Sequence, residues 1–371
     1  MSRKLFKNLS VYFLTFLTFI ICFVCITRCD IFIHAVSDST ERCINVIVPS
    51  LFAFMVLSKI ITQSGLYRYI SKPFFIVSKY VLHIDPSLFF VFLLGNISGY
   101  PVGISILSDL VEQKKIDTKT AKIMSCFCYC GGPSFYNGTI GLALYGEIKI
   151  GMLIFFSIVI TNFLMALIFG RLLKTQNVIS NDKLDISSQM LIDSIISTGR
   201  SLFVICSMIV FFSVVNIFLE YIGFFDIISG LLPASCNTPI YVKSILEISS
   251  LTNLKPMQFG SIPVIAGICS FGGICILLQV YSLCRGKFSL KLFFMTRPIS
   301  AIISFFICSK LKPLFLPDCV NVIAKSENVL VKMNNFIPSI CLIMMILLLS
   351  FKKRLVFYRQ VCYNIKDKKY N

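Results

Sequence analysis

Long runs of apolar residues, separated by short polar segments, dominate this chain. Most of the runs approach 20 residues, the length of an α-helix that crosses the hydrocarbon core of a bilayer. The clearest candidate spans are residues 9–27, 44–63, 87–107, 150–170, 200–222, 260–283, 292–311 and 336–351. The pattern therefore predicts an all-α polytopic membrane protein with about eight transmembrane helices, some of them broken or re-entrant.

The order of these runs predicts two halves joined by a polar linker. We expect a transmembrane anchor and loop, a first half, a cytoplasmic linker, a second half, and a C-terminal helix with a basic cytoplasmic tail. Their respective bounds are residues 1–43, 44–170, 171–199, 200–311 and 312–371. The first run follows a charged start but lacks a small-residue cleavage site, so we interpret it as a retained span rather than a cleaved signal sequence.

Composition and charge agree with a lipid environment. Hydrophobic residues make up 56% of the chain and charged residues 14%, whereas soluble domains have about 45–50% and about 25%. The net charge of +18 does not indicate a nucleic-acid partner, because many basic residues lie at the ends of apolar runs. Segment 352–371 has seven Lys/Arg and one Asp. By the positive-inside rule this excess places both termini in the cytoplasm.

The third apolar run is interrupted at membrane depth. Residues 95–103 read GNISGYPVG, in which proline removes a helical hydrogen bond and glycine allows the resulting conformations. Unpaired backbone in hydrocarbon is costly, so such a stretch must be buried in protein or line a wet cavity. A helix that restarts after Pro101 would present free N–H groups and a positive dipole end, which suit an anion.

The same glycines have a second interpretation. Gly95, Gly99 and Gly103 recur every four residues, a spacing that also lets transmembrane helices pack closely. The sequence leaves open whether the segment is unwound or is a helix-packing site. The proline next to small polar residues favours a broken helix.

Two further interruptions resemble the first. One covers residues 130–134, and the other covers residues 267–273 in the second half. The G-x-x-S spacing that starts at Gly95 recurs at Gly267, which indicates a weak internal repeat. Paired interrupted segments in two halves of a membrane protein point to a transporter's binding site. We expect the substrate-binding residues at or near these interruptions to be Ser98, Gly99, Tyr100, Pro101, Gly132, Pro133, Ser134, Asn137, Ser270, Gly272, Gly273 and Gln279.

Other candidate chemistry is weak. No P-loop, dinucleotide, zinc-protease or nucleophile-elbow motif occurs, so we predict no enzyme activity and no cofactor. The C-x-C-x-C run at residues 126–130 is a poor metal site, since both histidines are distant in sequence, and buried cysteines usually act as small hydrophobes. Glu247 is the acidic residue that we most expect to face the protein interior, although a solvated residue on an interfacial helix is an equally good interpretation.

The motif S-G-Y-P-x-G at residues 98–103 resembles the signature of the sporulation integral membrane protein YlbJ family. The wider resemblance is to membrane proteins with the nucleoside recognition or Gate domain. Residues 48–54 look like the opening of that domain, and residues 246–248 and 270–279 look like its second half. The resemblance covers about residues 44–311.

This resemblance implies a protein in the mother-cell-derived membrane around the forespore, with Gate-like halves. It implies passage of dipicolinic acid toward the spore, with residues 98–101 as the core motif and Gly132-Pro133 as its partner. The chain departs from the family where amide residues usually precede Gly-Pro, because it has Tyr129, Cys130 and Gly131 there. This departure puts polar contacts at that point in doubt.

The sequence therefore predicts a sporulation membrane transporter or channel component for a small anionic solute, dipicolinic acid by resemblance. Membrane lipid, the solute and other sporulation membrane proteins are the expected partners. The alternative is a non-transporting scaffold of spore cortex or coat assembly. In that case the glycines would be packing sites, and the basic segment 352–369 would dock partners or anionic lipid.

Overall fold

A computed structural model describes residues 26–173, 187–231, 238–254 and 262–316, together with Thr15, Phe19, Phe23 and Val24. These residues form helices and turns with no strand among them, which confirms the all-α prediction. The predicted span 336–351, the basic tail and most of the predicted span 9–27 lie outside the described residues.

Twelve α-helices are formed within the described ranges. In chain order they are α1 Cys29–Ser64, α2 Tyr67–Ser71, α3 Phe89–Ile97, α4 Val102–Glu112, α5 Thr118–Met124, α6 Ile148–Gly170, α7 Ser188–Tyr221, α8 Phe224–Leu231, α9 Thr238–Leu246, α10 Ile262–Phe271, α11 Gly273–Cys284 and α12 Lys291–Phe315. Helix α1 contains a π-helical turn, and further π-helical or 3-10 segments are Lys72–Phe74, Val77–Leu82, Pro86–Leu88, Phe135–Leu144 and Ile248–Asn253.

Five helical units of the described chain are long and apolar enough to cross a membrane: α1, α6, α7, α10 with α11, and α12. They fit a multi-pass membrane protein. Five is fewer than the predicted eight, so the count of eight and the repeat of the two halves stay predictions. Helix α1 begins at Cys29 rather than near residue 44, and it runs through residue 43, where the sequence suggested a boundary.

The start of α7 lies inside the predicted linker 171–199. Ser187 caps this helix, since its Oγ accepts a hydrogen bond of 3.1 Å from the backbone N–H of Met190. Serine is a favoured residue at this position because its side chain satisfies an otherwise unpaired N–H. A helix therefore begins within the predicted linker, and the division of the chain into two halves joined by this segment stays a prediction.

The core is formed by two groups of packed helices, which α4 and α11 connect. Helices α6, α10 and α12 pack together, and Ser304 Oγ in α12 donates to the Ala266 carbonyl of α10 at 3.3 Å. Helices α1 and α7 pack along each other. Helix α4 contacts α1, and α11 contacts α7. Between them, Ser108 Oγ of α4 donates to the Leu283 carbonyl of α11 at 3.2 Å.

Candidate functional site

The first interruption is a true helix break. Helix α3 ends at Ile97, Gly99 has a φ of +113°, and α4 begins at Val102. This φ lies in the left-handed region, which glycine adopts without the steric cost of a Cβ. A Cβ on Gly99 would also lie 2.6 Å from Leu51 Cδ2. The unwound interpretation of residues 98–101 is therefore confirmed.

The outer two glycines of this stretch, Gly95 and Gly103, allow close packing. The unwound interpretation therefore applies at Gly99, and the packing interpretation applies at Gly95 and Gly103. A Cβ on Gly95 would lie 2.8 Å from the Cys128 carbonyl oxygen, and a Cβ on Gly103 would overlap the same oxygen. The partner is the irregular segment 125–132 that follows α5, rather than a second transmembrane helix. The glycines thus bring this segment against the break.

A further break lies between α10 and α11. Gly272 and Gly273 have φ values of +91° and +79°, and α11 restarts there. A Cβ on Gly272 would overlap the hydroxyl oxygen of Tyr129, which lies 3.5 Å from the Phe271 carbonyl oxygen. The irregular segment therefore touches the second break as well as the first.

Tyrosine hydroxyls join the three interruptions. Tyr100 Oη, from the first break, donates to the Cys269 carbonyl of α10 at 2.8 Å and lies 2.9 Å from Tyr136 Oη. The backbone N–H of Gly131 donates to Tyr136 Oη at 3.0 Å. The predicted segments therefore meet in the folded chain.

A buried pair of amides supports the same region. Asn162 Nδ2 in α6 donates to Asn96 Oδ1 at 2.7 Å and to the Tyr129 carbonyl at 2.8 Å. The Asn96 amide in turn donates to the Phe92 carbonyl at 2.7 Å. This pair was not among the residues predicted from the sequence. Its signal was an asparagine inside each of two apolar runs, where a polar side chain must find a partner within the protein.

Two serines precede the two breaks at similar positions. Ser98 is 2% exposed and Ser270 is 1% exposed. Neither hydroxyl has a hydrogen-bond partner among the described residues. An unsatisfied buried hydroxyl costs about 1–3 kcal/mol, so both serines are good candidates for contact with a bound molecule.

Arg297 belongs to the same region and was not among the predicted site residues. It lies in α12, is fully buried, and donates from Nη2 to the Cys126 carbonyl. Its guanidinium carbon is 4.8 Å from the ring centroid of Tyr129 and 4.9 Å from that of Phe293. The signal was available, because an arginine inside the apolar run 292–311 is costly in lipid and marks a functional position by default.

The other predicted residues lie at different distances from the point where the three interruptions meet. A Cβ on Gly132 would be 3.8 Å from Gly99 Cα, so the Gly-Pro motif adjoins the first break. Ser134 and Asn137 are half-buried at the start of the π-helical segment. Gln279 is buried two turns into α11 and donates to Cys275 Sγ at 3.3 Å. Solute binding by the predicted residues stays a prediction.

The cysteine run and Glu247 both lie inside the protein. Residues 126–130 are buried, and no metal-binding cluster of His, Cys, Asp or Glu occurs among the described residues. Glu247 is 7% exposed and accepts from the backbone N–H of Ser249 at 3.1 Å. Arg42 Nη1 donates to Ser249 Oγ at 2.7 Å. Glu247 therefore faces the interior and caps the turn that follows it.

Comparison with known proteins gives one relevant likeness. Over 113 residues the chain is 24% identical to the sporulation integral membrane protein YlbJ of Bacillus subtilis (strain 168). This stretch covers 30% of this chain and 27% of that relative. No family model matches, so the expected nucleoside recognition or Gate domain is not confirmed, and no solved structure matches either. The helices and this partial likeness agree with a multi-pass membrane protein related to one of sporulation.

Proposed function

We propose that this chain is a sporulation membrane transporter or channel component that moves a small anionic solute, dipicolinic acid by resemblance, toward the developing spore. The observation that carries the proposal is the pair of buried serines, Ser98 and Ser270. Ser98 directly precedes the left-handed Gly99, Ser270 stands two residues before the left-handed Gly272, and neither hydroxyl has a partner within the described chain.

Helix direction supports an anionic solute. Helices α4 and α11 both begin at the breaks, so each directs the positive end of its dipole toward its break. Discontinuous helices whose N-terminal ends face anionic groups are a recurring design of membrane transporters. The partial likeness to the Bacillus protein supplies the sporulation context.

Uptake by reconstituted vesicles tests this proposal. The full chain is placed in liposomes and labelled pyridine-2,6-dicarboxylate is added, with and without sodium and proton gradients. We expect saturable uptake by the wild-type protein. The double variant S98A/S270A should lose most of it, because both hydroxyls that we place at the solute are removed while the glycines that shape the breaks stay.

Ser207→Ala is the matched control. Ser207 is exposed, lies in α7 and donates to the Phe203 carbonyl within its own helix at 2.8 Å. This variant should transport like the wild type. Wild-type vesicles that take up no dicarboxylate under any gradient would overturn the transport proposal and favour the scaffold alternative. If the S98A/S270A protein takes up the dicarboxylate as well as the wild type does, the two serines do not contribute to the binding site.

A further inference from the structure

The guanidinium of Arg297 is only partly used by the protein. Nη2 donates to the Cys126 carbonyl, whereas Nε and Nη1 have no hydrogen-bond partner among the described residues. Nε carries one N–H and Nη1 carries two, so three of the five N–H donors remain. A fully buried residue with this many unused donors points to a bound acceptor.

The charge of Arg297 is also uncompensated in the described part of the chain. Ion pairs formed there include Arg28 with Asp30, Lys59 with Asp109, Lys149 with Glu147, Lys243 with Glu220 and Lys287 with Glu112. None of them includes Arg297. Two aromatic rings provide cation–π stabilisation, worth about 2 kcal/mol when desolvated. A buried cation normally requires a counter-charge as well.

Arg297 is connected to both helix breaks through the ring of Tyr129. The Tyr129 ring is 4.8 Å from the guanidinium carbon and 5.1 Å from the Tyr100 ring. Its hydroxyl contacts Gly272 at the second break. Arg297 therefore lies beside the place where the interrupted helices meet.

Helix geometry around Arg297 adds a further feature. Pro298 lies inside α12, so one helical N–H is missing directly after the arginine. One turn further on, Ser300 is fully buried, and its hydroxyl also lacks a partner within the described ranges. Arg297 and Ser300 are thus two buried side-chain donors about one helical turn apart on α12.

From these observations we infer that Arg297 binds a carboxylate group of the solute, as the main positive contact of a buried site beside the two breaks. A guanidinium matches a carboxylate better than a lysine does, because its planar N–H groups can donate two parallel hydrogen bonds. This inference rests on the proposed function for the identity of the solute, but binding can be measured without transport.

The test is ligand binding by the purified full chain in detergent. The probes are pyridine-2,6-dicarboxylate, benzoate, the neutral pyridine-2,6-dicarboxamide and sodium chloride, measured by calorimetry and by ligand-induced shifts in thermal unfolding. The wild type should bind a carboxylate and discriminate against the carboxamide. R297Q should weaken carboxylate binding about tenfold or more and lose the discrimination. R297K should be intermediate, because it keeps the charge but not the planar fork.

Arg200→Gln is the matched control, since Arg200 is exposed on α7 and its replacement removes the same charge. It should bind like the wild type. A purely structural Arg297 would lower the melting temperature of R297Q without changing the preference for carboxylate over carboxamide. If R297Q does not fold, R297K carries the test, and a wild-type affinity and preference in R297K would overturn the inference.

The remaining outcomes separate this inference from the transport proposal. Wild-type protein that binds no carboxylate, or only chloride, overturns the carboxylate site whatever the vesicles do. Undiminished binding by R297Q overturns it too, while dicarboxylate uptake would still stand. The protein could instead bind carboxylate in an Arg297-dependent way while its vesicles take up no dicarboxylate. That result would support the carboxylate site and overturn the transport proposal.

Discussion

The hydroxyl of Tyr100 donates a hydrogen bond to the carbonyl oxygen of Cys269, 2.8 Å away, and so links the break at Gly99 to the helix that leads into the break at Gly272. The two residues are 169 positions apart in the chain. A side chain next to a helix break therefore satisfies a backbone group near the other break, in a part of the protein where backbone groups have few alternatives.

We expect Tyr100→Phe to destabilise the protein because it leaves the Cys269 carbonyl without this donor. The cost of a buried acceptor left unpaired is about 1–3 kcal/mol, which should appear as a lower midpoint of thermal unfolding in detergent. Tyr281→Phe is the control, since Tyr281 is on α11 and 61% exposed. Equal midpoints for the two variants would show that the link contributes nothing measurable.

Gly272→Ala should prevent normal folding. Its φ of +91° disfavours any side chain, and the new Cβ would overlap the hydroxyl oxygen of the buried Tyr129. We expect a sharp loss of monodisperse protein on size-exclusion chromatography. Gly199→Ala, in α7, meets nothing within 4 Å, so it should be neutral or stabilising by up to about 1 kcal/mol. A normal yield of G272A would show that the break rearranges easily.

The stability of the protein should depend strongly on both members of the buried ion pair Lys59–Asp109. Their charged atoms are 2.8 Å apart, and the side chains are 6% and 16% exposed. Lys59→Met alone should cost about 3–5 kcal/mol because it leaves an unpaired carboxylate, and K59M/D109L should recover much of that loss. Lys149→Met, which breaks an exposed pair with Glu147, should cost under about 1 kcal/mol. The measurement is thermal unfolding of all three variants, and a K59M/D109L protein no more stable than K59M would contradict the prediction.

Acidification should weaken the contact between Glu112 and Lys287. The ammonium group lies 2.5 Å from the carboxylate and lowers the pKa of Glu112 below its ordinary value of 4.5. Because the folded-state pKa is the lower one, the stabilisation is present above about pH 4.5 and is lost as the pH falls through the folded-state pKa. The effect should be small, since Glu112 is largely exposed. E112Q should therefore show a slightly flatter fall in melting temperature than the wild type between about pH 6 and about pH 3. Identical profiles would exclude the contribution.

Part of the site could be predicted from sequence because it depends on local backbone chemistry. Closely spaced glycines, or glycine together with proline, within an apolar run favour a helix break, so the breaks at Gly99 and Gly272 could be predicted from the sequence. Two glycines of the first stretch were ambiguous because close packing also selects glycine. Only the position of the Cys128 carbonyl decides that Gly95 and Gly103 serve packing.

Contacts between residues far apart in the sequence could not be predicted in this way. Asn162 and Asn96 are 66 positions apart, and Arg297 and Cys126 are 171 apart. Apolar patterning shows that such polar residues need partners in lipid, but it does not show which partners they find.

The sequence by itself determined that the described chain is helical, that it belongs in a membrane, and where its helices are interrupted. Local hydropathy and backbone sterics suffice for these conclusions. The tertiary structure alone decided that the interruptions meet around Tyr100, Tyr129 and Tyr136, and that Arg297 lies beside them. The reason is physical: close packing of helices, rather than proximity in sequence, decides which buried donors and acceptors come within hydrogen-bonding distance.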